Sequence, residues 1–281
     1  MEEKRITRKR LLDYTRYLHQ AERSPGTIEN YLRHAEAFAC WLDHRPVTKE
    51  LASRWKEHLL KEGYAPVSIN AMLAAINGLF SFLGWEGYKV KFLKIQRKTF
   101  REPARELTRP EYNRLLKAAQ SQGRERLALL MEALCSTGIR VGEVKYLTVE
   151  AARAGRADIR MKGKFRTILL SGRLCRKLLK YAKKQKTESG EIFITRNGKS
   201  LSRRQIWEEL KRLCADAKVK SSKVFPHNFR HLFAATYYRA YKDIVKLADV
   251  LGHCSIETTR IYLAASGTEH VRQLERLGLV S

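Results

Sequence analysis

The chain has 281 residues, and its 56 lysines and arginines against 29 aspartates and glutamates give a formal net charge of +27 at pH 7. Positive charge spread along a chain that is 44% hydrophobic indicates a folded globular protein with an anionic partner, nucleic acid first and an anionic membrane second. The sequence shows no signal peptide, no apolar run long enough to span a membrane and no C-x-x-C pair among its five cysteines, so we expect a cytoplasmic protein and exclude secreted scaffolds and zinc knuckles.

The first part of the chain, residues 1–88, is predicted to contain helices only. Apolar side chains recur there with the 3.6-residue period of amphipathic helices, in segments at Leu11–Leu18, Ile28–Leu42, Leu51–Leu59 and Ile69–Leu83. Turn residues separate these segments, at Ser24-Pro25-Gly26, Arg45-Pro46 and Gly63–Pro66. The pattern therefore predicts a small four-helix domain.

Residues 89–107 carry many basic side chains and no clear apolar period, which is typical of a basic inter-domain linker. Thr108-Arg109-Pro110-Glu111 follows, with a capping residue, a proline in the first turn and a glutamate three positions after the cap. This pattern predicts the start of a helix and of a second domain, residues 108–281.

The second domain is predicted to be mixed. A buried helix is expected at Leu127–Leu134, and two strands at Ala157–Met161 and Phe165–Leu170 flank a turn, which indicates a hairpin. We expect a weaker third strand at Glu191–Thr195. Helical periodicity returns around Ile206–Ala217, 227–240 and 243–251, and a terminal amphipathic helix is predicted at 268–281. The predicted fold is thus mainly α with a small β-hairpin, the second domain being of the α+β type.

In two segments of the second domain, the position of an arginine suggests that it binds an anion. In Ser136–Glu143 a glycine turn follows a buried helix and precedes Arg140, which we expect at the start of the next helix. An arginine beside the partial positive charge of a helix N-terminus is favourable when an anion lies there. His227 and Arg230, three residues apart, share one helix face and can reach one phosphate.

Two further segments complete the set. The predicted hairpin turn is basic, with Lys162-Gly163-Lys164-Phe165-Arg166. In the segment from Leu251 to Tyr262, Gly252 ends one helix and Ser255 caps the next, which we expect to carry Tyr262. His231 points about 100° away from Arg230 on its helix, so we expect a structural role for it. Each segment alone is more typical of ordinary surface or core residues, and their value is in combination.

Together these segments resemble the catalytic set of the tyrosine recombinase, or phage integrase, family, most closely its Xer-like branch. The motifs T-G-x-R-x-x-E, H-x-x-R and L-G-H, and a tyrosine nine residues after the last histidine, stand in the family's order and spacing. The resemblance covers nearly the whole chain. It implies that residues 1–88 are a SAM-like core-DNA-binding domain, that residues 108–281 are the catalytic domain, and that the two form a clamp on DNA.

The resemblance also implies the roles of individual residues. Carried over position by position, the catalytic residues are Arg140, Lys162, His227, Arg230, His253 and the nucleophile Tyr262, with Glu143 and Lys164 in supporting positions. The family's lysine commonly stands in a K-G-x-K-x-R hairpin, and the hairpin here is one residue shorter. Lys162 and Lys164 are therefore alternatives for the general acid, and Lys162 is preferred.

The implied function is that of a site-specific DNA recombinase that cleaves and rejoins DNA through a 3′-phosphotyrosyl intermediate. We expect no metal, ATP or other cofactor, no membrane, and double-stranded DNA with inverted half-sites as the partner. The free protein is expected to be a monomer and the synaptic complex a homo-tetramer. Two alternatives are a type IB topoisomerase-like nicking-closing enzyme and a non-catalytic sequence-specific DNA-binding protein. The residues leave open the target sequence, and whether it is a chromosome dimer site, a mobile element end or an invertible segment.

Overall fold

The computed structural model describes residues 3–95, 105–161, 164–253, 255–260, 262 and 275–277, apart from the side chains of Met161 and Lys164. The chain divides into two compact units, Met1–Arg97 and Lys98–Ser281. The fold is mainly helical with one two-stranded sheet, and the predicted fold class is confirmed. Within these described ranges, no helix combines the length and apolarity needed to cross a membrane.

The first unit contains the four predicted helices: α1 Arg8–Gln20, α2 Pro25–Leu42, α3 Lys49–Lys61 and α4 Pro66–Phe82. The hydroxyls of Thr7 and Thr48 cap α1 and α3, and prolines begin α2 and α4, where a missing N–H leaves no hydrogen bond unmade. Helix α4 is the most apolar of the four, and its buried side chains form the centre of this unit. A single 3₁₀ turn, Glu86–Tyr88, follows α4.

Two asparagines of α4 hold the chain that follows the helices. The side chain of Asn77 accepts a hydrogen bond from the N–H of Val90 and donates one to its carbonyl, both at 2.9 Å. Asn70 holds Leu93 in the same way, at 2.8 and 2.9 Å. Val90 is buried in the core of this unit. The first residues of the predicted linker are therefore attached to α4, with their backbone polar groups satisfied.

The second unit begins with α5, Arg109–Ser121, whose start shows the predicted capping box between Thr108 and Glu111. Helix α6, Glu125–Thr137, runs through the core, and its five consecutive residues Leu127–Met131 are all buried. The helices that follow, up to Arg260, are α7 Val149–Ala154, α8 Gly172–Lys184, α9 Arg203–Arg212, α10 Pro226–Tyr241, α11 Ile244–Leu251 and α12 Ile256–Arg260. Two 3₁₀ helices, Val141–Tyr146 and Ser221–Lys223, lie between them. The predicted terminal helix at 268–281 falls almost entirely outside the described residues.

The predicted hairpin is confirmed as β1 Arg156–Met161 and β2 Lys164–Leu169, paired antiparallel with Ile159 opposite Arg166. Alternation gives it two different faces. Ala157, Ile159 and Ile168 are buried in the core, whereas Phe165 and Leu169 are 75% and 77% exposed on the other face.

The expectation of a third strand at Glu191–Thr195 is wrong. Glu191 and Ile194 form only isolated bridges, to Thr148 and Ser200. The consecutive residues Ile192 and Phe193 are both buried. The chain bends at both of these residues, so the two bridges are not joined by a continuous ladder of strand hydrogen bonds.

Candidate active site

Arg140 lies at the surface and is oriented by a buried carboxylate. The left-handed Gly138 ends α6, and Arg140 caps the 3₁₀ helix Val141–Tyr146, at the helix start where it was expected. Glu143 accepts a hydrogen bond from the Arg140 backbone N–H at 2.9 Å and pairs with its guanidinium at 3.2 Å. The Glu143 side chain is 3% exposed and that of Arg140 is 41% exposed. The guanidinium is thus fixed in direction and still accessible.

Arg230, on α10, is the most deeply buried charge of the site, with 2% of its surface exposed. Its guanidinium donates to the carbonyls of Gly138 and Leu251, the latter at 2.7 Å, and lies 2.9 Å from Nε2 of His253. Its Nε is buried and has no hydrogen-bond partner among the described residues. Burial, and next the charge of Arg140, lower the pKa of Arg230 to about 10, so it remains a cation at neutral pH.

His253 follows Gly252, the left-handed residue that ends α11 as predicted. Its Nδ1 lies 2.8 Å from the hydroxyl of Thr259, which is fully buried. Because a guanidinium can only donate, Nε2 of His253 accepts from Arg230 and Nδ1 carries the proton toward Thr259. Burial, and next the charge of Arg230, lower the pKa of His253 to about 4, so the imidazole is neutral at pH 7.

Tyr262 lies just beyond α12, Ile256–Arg260, and not on the helix as expected. Its backbone N–H bonds the carbonyl of Thr259 at 2.9 Å, a bond that tightens the chain into a turn after only five helical residues. The ring is 6% exposed and packs with Leu247 and Leu251. It is stacked on His253, with ring centroids 5.6 Å apart and planes 10° apart.

Two histidines of α10 flank the same tyrosine. The ring centroids of His227 and His231 lie 5.5 and 5.2 Å from that of Tyr262. His227 is exposed and His231 is 5% exposed. The two stand four residues apart and therefore share a helix face, so His231 belongs to the surroundings of Tyr262 although its angle from Arg230 had suggested otherwise.

The candidate general acids are not placed by the structure. Lys162 lies outside the described residues, and Lys164 is described only through its backbone, which pairs with Met161 in the hairpin. The structure does show a third arginine at the site, one to which the sequence motifs gave no role. Arg166, on β2, has a side chain that is 13% exposed, pairs with Glu143 and donates to the carbonyl of Leu251. The sequence could have indicated this position, because Arg166 stands two residues before the apolar Ile168 on a predicted strand and therefore shares its face.

Five residues from four separate segments therefore share one site: Arg140, Arg166, Arg230, His253 and Tyr262. Its three guanidiniums have one buried carboxylate between them, that of Glu143, which leaves an excess of positive charge. Such a site can bind a phosphate and stabilise charge that develops on its oxygens. In the ranges that the structure describes, no group of three or more His, Cys, Asp or Glu side chains could hold a metal ion.

A tyrosine held among arginines and histidines defines a class of site that can bind a phosphate beside a phenolic hydroxyl. Comparison with protein families agrees with this class. Residues 105–269 match the profile described as "Phage integrase family", and residues 11–87 match "Phage integrase, N-terminal SAM-like domain". The chain belongs to the phage integrase family and is a tyrosine-type site-specific recombinase, as its motifs predicted.

Individual relatives confirm the predicted Xer-like branch. The chain is 29% identical over 273 residues to the tyrosine recombinase XerA of Thermococcus kodakarensis, covering 94% of this chain and 93% of that protein. It is 28% identical over 271 residues to XerD of Halalkalibacterium halodurans, covering 87% and 89%.

Solved structures show the same fold. XerH bound to its difH substrate superposes with a TM-score of 0.69 at 19% identity, over 95% of this chain and 84% of that one. A lambda integrase dimer bound to a COC′ core site gives a TM-score of 0.73 at 19% identity, over 92% and 77%.

Proposed function

We propose that this recombinase cleaves and rejoins double-stranded DNA by forming a covalent bond between Tyr262 and a 3′-phosphate. The observation that carries the proposal is the meeting of Arg230, His253 and Tyr262 in one buried, positively charged site. Arg140 borders the same site, because its guanidinium lies 3.4 Å from the carbonyl of Gly252, the residue before His253.

The two arginines Arg140 and Arg230 bind the non-bridging oxygens of the scissile phosphate. A guanidinium presents a planar fork of donors, which fits two phosphate oxygens better than an ammonium does. Hydrogen-bonding capacity is left for this purpose, since the Arg140 side chain is 41% exposed and Nε of Arg230 has no partner among the described residues. Charge that builds up on phosphorus oxygens in the transition state is stabilised by these fixed cations.

Tyr262 supplies the attacking oxygen. A phenol is a weak nucleophile until its proton is withdrawn, so an adjacent base contributes to the attack. His227 is the nearby base that solvent and substrate can reach, and we assign it the role of accepting or orienting this proton. The phenolic oxygen then forms a bond to phosphorus while the bond from phosphorus to the 5′-oxygen breaks.

His253 donates a hydrogen bond to the phosphate when DNA is bound. In the free protein its Nε2 accepts from Arg230, so this role requires the proton to be on Nε2 instead of Nδ1. The Thr259 hydroxyl permits both states, because it can accept from a protonated Nδ1 or donate to an unprotonated one. Thr259 is therefore a positioning residue for either tautomer.

A hairpin lysine, Lys162 in preference to Lys164, gives a proton to the departing 5′-oxygen. The products are a 3′-phosphotyrosine and a free 5′-hydroxyl, and attack by a 5′-hydroxyl from another strand reverses the chemistry. Because the phosphotyrosine conserves the energy of the broken bond, ligation needs no ATP. The cations are side chains of the protein, and we propose that the reaction needs no metal ion.

The assembly on DNA is proposed from the relatives. XerH was solved on a palindromic difH substrate and lambda integrase as a dimer on its core site. For this chain we assign inverted half-sites as the substrate, a monomer as the free protein and a homo-tetramer as the synaptic complex. The two units then bind DNA as a clamp, which accounts for a net charge of +27.

The test of the nucleophile is covalent trapping on a nicked half-site duplex. With EDTA present and ATP absent, the unsubstituted protein should form a covalent adduct that survives detergent. Tyr262→Phe should form no adduct, and its DNA affinity should stay within a few-fold of that of the unsubstituted protein. Tyr237→Phe is the matched control, because Tyr237 packs against the same apolar cluster. An adduct on Tyr262→Phe, or an absolute need for a divalent ion, would contradict the proposal.

A second assay separates recombination from the nicking-closing alternative. Plasmids that carry two copies of the target site should yield recombinant products. Relaxation of supercoils without exchange between the sites would favour a topoisomerase-like enzyme. Binding with neither product would favour a DNA-binding protein without catalysis.

A further inference from the structure

Arg166 joins the hairpin to the two groups that hold the anion-binding arginines. One arm of its guanidinium pairs with Glu143, which also holds the backbone and the guanidinium of Arg140. The other arm donates to the carbonyl of Leu251, which also accepts from Arg230 at 2.7 Å. A single side chain of β2 thus contacts a partner of each arginine.

The loop before His253 is shaped around the same side chain. Gly252 has a φ of +61°, and a Cβ added there would overlap the Arg166 side chain. Glycine is therefore required on two grounds, backbone conformation and close approach. The L-G-H segment and the hairpin fit together at this point, within one unit of the protein.

Neutralising Glu143 does not explain a second arginine, because Arg140 already pairs with that carboxylate. The Arg166 side chain is 13% exposed, and burying a further cation beside Arg140 and Arg230 carries a desolvation cost that an apolar side chain would not. What the guanidinium adds is geometry, since it bonds the 3₁₀ helix with one arm and the end of α11 with the other. The strand it fixes begins at Lys164, which stands two positions after Lys162 in the sequence.

We propose that Arg166 is a positioning residue that sets the place of the hairpin lysine relative to the scissile phosphate. This inference rests on the proposed function, in which a hairpin lysine protonates the leaving 5′-oxygen. Arg166 itself transfers no proton. Its contacts with Glu143 and Leu251 hold the half of the hairpin nearer the turn against the groups that orient Arg140 and Arg230, so that the hairpin lysine lies at the right distance from the phosphate.

The experiment compares single-turnover cleavage of two DNA substrates, one normal and one with sulfur as the 5′-bridging atom. A thiolate leaves without a proton, so the sulfur substrate bypasses the general acid. Arg166→Lys keeps the charge but cannot bond both partners. We expect this variant to cleave the normal substrate about 10²-fold more slowly, within the range typical of a misplaced general acid, and the sulfur substrate within a few-fold of the unsubstituted rate.

The matched control is Arg160→Lys, the same substitution on the exposed face of the partner strand, where the side chain stacks on Phe165. It should leave both rates within a few-fold. If Arg166→Lys does not fold, Arg166→Gln serves as the second variant. Equal slowing of both substrates by the Arg166 variants, or no slowing of either, would overturn the proposal.

Lys162→Ala and Lys164→Ala, measured alongside, show which lysine is the acid. The variant of the true acid should show the same selective loss on the normal substrate. If neither lysine variant is rescued by sulfur, the acid lies elsewhere and the role of Arg166 is wrong with it. The nucleophile assignment would survive that result, because the adduct formed by Tyr262 is measured on the normal substrate alone.

Discussion

In the first unit, Met1–Arg97, the described side chains that are buried are apolar or aromatic, whereas the second unit, Lys98–Ser281, also buries polar and charged ones. Those of the second unit are Thr137, Glu143, Asn228, Arg230, His231 and Thr259. All but Asn228 and Thr137 belong to the site or contact Tyr262. A buried charge is costly unless it is paired or used, so the difference places the side chains suited to chemistry in the second unit.

The two units should therefore respond differently to the substitution of a single residue. In the first unit the described charges lie at the surface, and we expect its contribution to DNA affinity to be the sum of many weak contacts. In the second, a few buried groups share partners, and removing one leaves another unsatisfied. The following predictions test this contrast, beginning with the largest effect.

Removing the first unit should have the largest effect, on DNA affinity. The fragment should begin at Arg105, because its carbonyl accepts from Asn228 and Leu107 is buried in the second core. The slope of log K against log salt is roughly −0.9 per phosphate contacted, so a full-length clamp on about ten phosphates should lose roughly 10⁵ in affinity between 50 and 200 mM salt. A salt titration on one half-site should show a smaller slope and far weaker binding for the fragment. Equal slopes and affinities would mean that the first unit does not contact DNA.

Glu143→Gln should destabilise the second unit strongly. The substitution leaves the buried guanidinium of Arg166 without its counter-charge, and breaking a buried pair typically costs about 3–5 kcal/mol. The melting temperature and the cleavage rate should both fall. Glu86→Gln is the control in the first unit, where the carboxylate pairs with Lys89 at the surface, and its melting temperature should be nearly unchanged. Similar stabilities for the two variants would remove the contrast between the units.

Leu73→Ala should destabilise the first unit without changing the chemistry. Leu73 is fully buried at the centre of that unit, and such a truncation costs about 2–5 kcal/mol. Chemical denaturation should report the loss of stability. The cleavage rate at saturating protein, measured at a temperature below the melting temperature of the variant, should be unchanged. Leu12→Ala, at a position that is 53% exposed, should be nearly neutral. A large loss of cleavage rate at saturation would show that the first unit takes part in the chemical step.

The smallest effect should be a pH dependence that arises from His253. Its pKa is about 4 in the folded protein and near 6.5 in an unfolded chain, so between these values the unfolded chain binds more protons. This contribution to stability is complete above pH 6.5 and is lost as the pH falls toward 4. His253→Gln should flatten the dependence of the melting temperature on pH in that window, and His19→Gln, at an exposed position of α1, should not. An unchanged profile for His253→Gln would mean that another group titrates there.

Much of the fold could be predicted because it is local. The four helices of the first unit, the capping box at Thr108 and the hairpin each follow from periodicity or turn chemistry within a few residues. The predicted strand at Glu191–Thr195 failed because two neighbouring apolar residues suit a buried irregular segment as well as a strand. Tyr262 was expected on a helix because the residues before it read as helical, whereas the chain turns after Arg260.

The contacts within the site were less predictable because they join distant segments. Motifs pointed to Arg140, Arg230, His253 and Tyr262 separately, and spacing alone does not show that Arg230 contacts both the carbonyl of Leu251 and Nε2 of His253. Arg166 meets Glu143 and Leu251 across 23 and 85 residues of sequence, and no local pattern encodes that meeting. Thr259 looks like an ordinary helix residue until the fold places its hydroxyl against an imidazole.

The asparagines of α4 have a consequence for how the sequence can change in length. Seven residues of helix separate Asn70 from Asn77, a rise of about 10.5 Å at 1.5 Å per residue. Val90 and Leu93 are three positions apart, and three residues of fully extended chain span about 10 Å at 3.3 Å per residue. The two spacings agree, so the two asparagine side chains can bond the backbone N–H and C=O groups of Val90 and Leu93, as the backbone of a neighbouring strand would. A one-residue insertion or deletion between Val90 and Leu93 would therefore break one of the two attachments, whereas the same change beyond Leu93 would leave both intact.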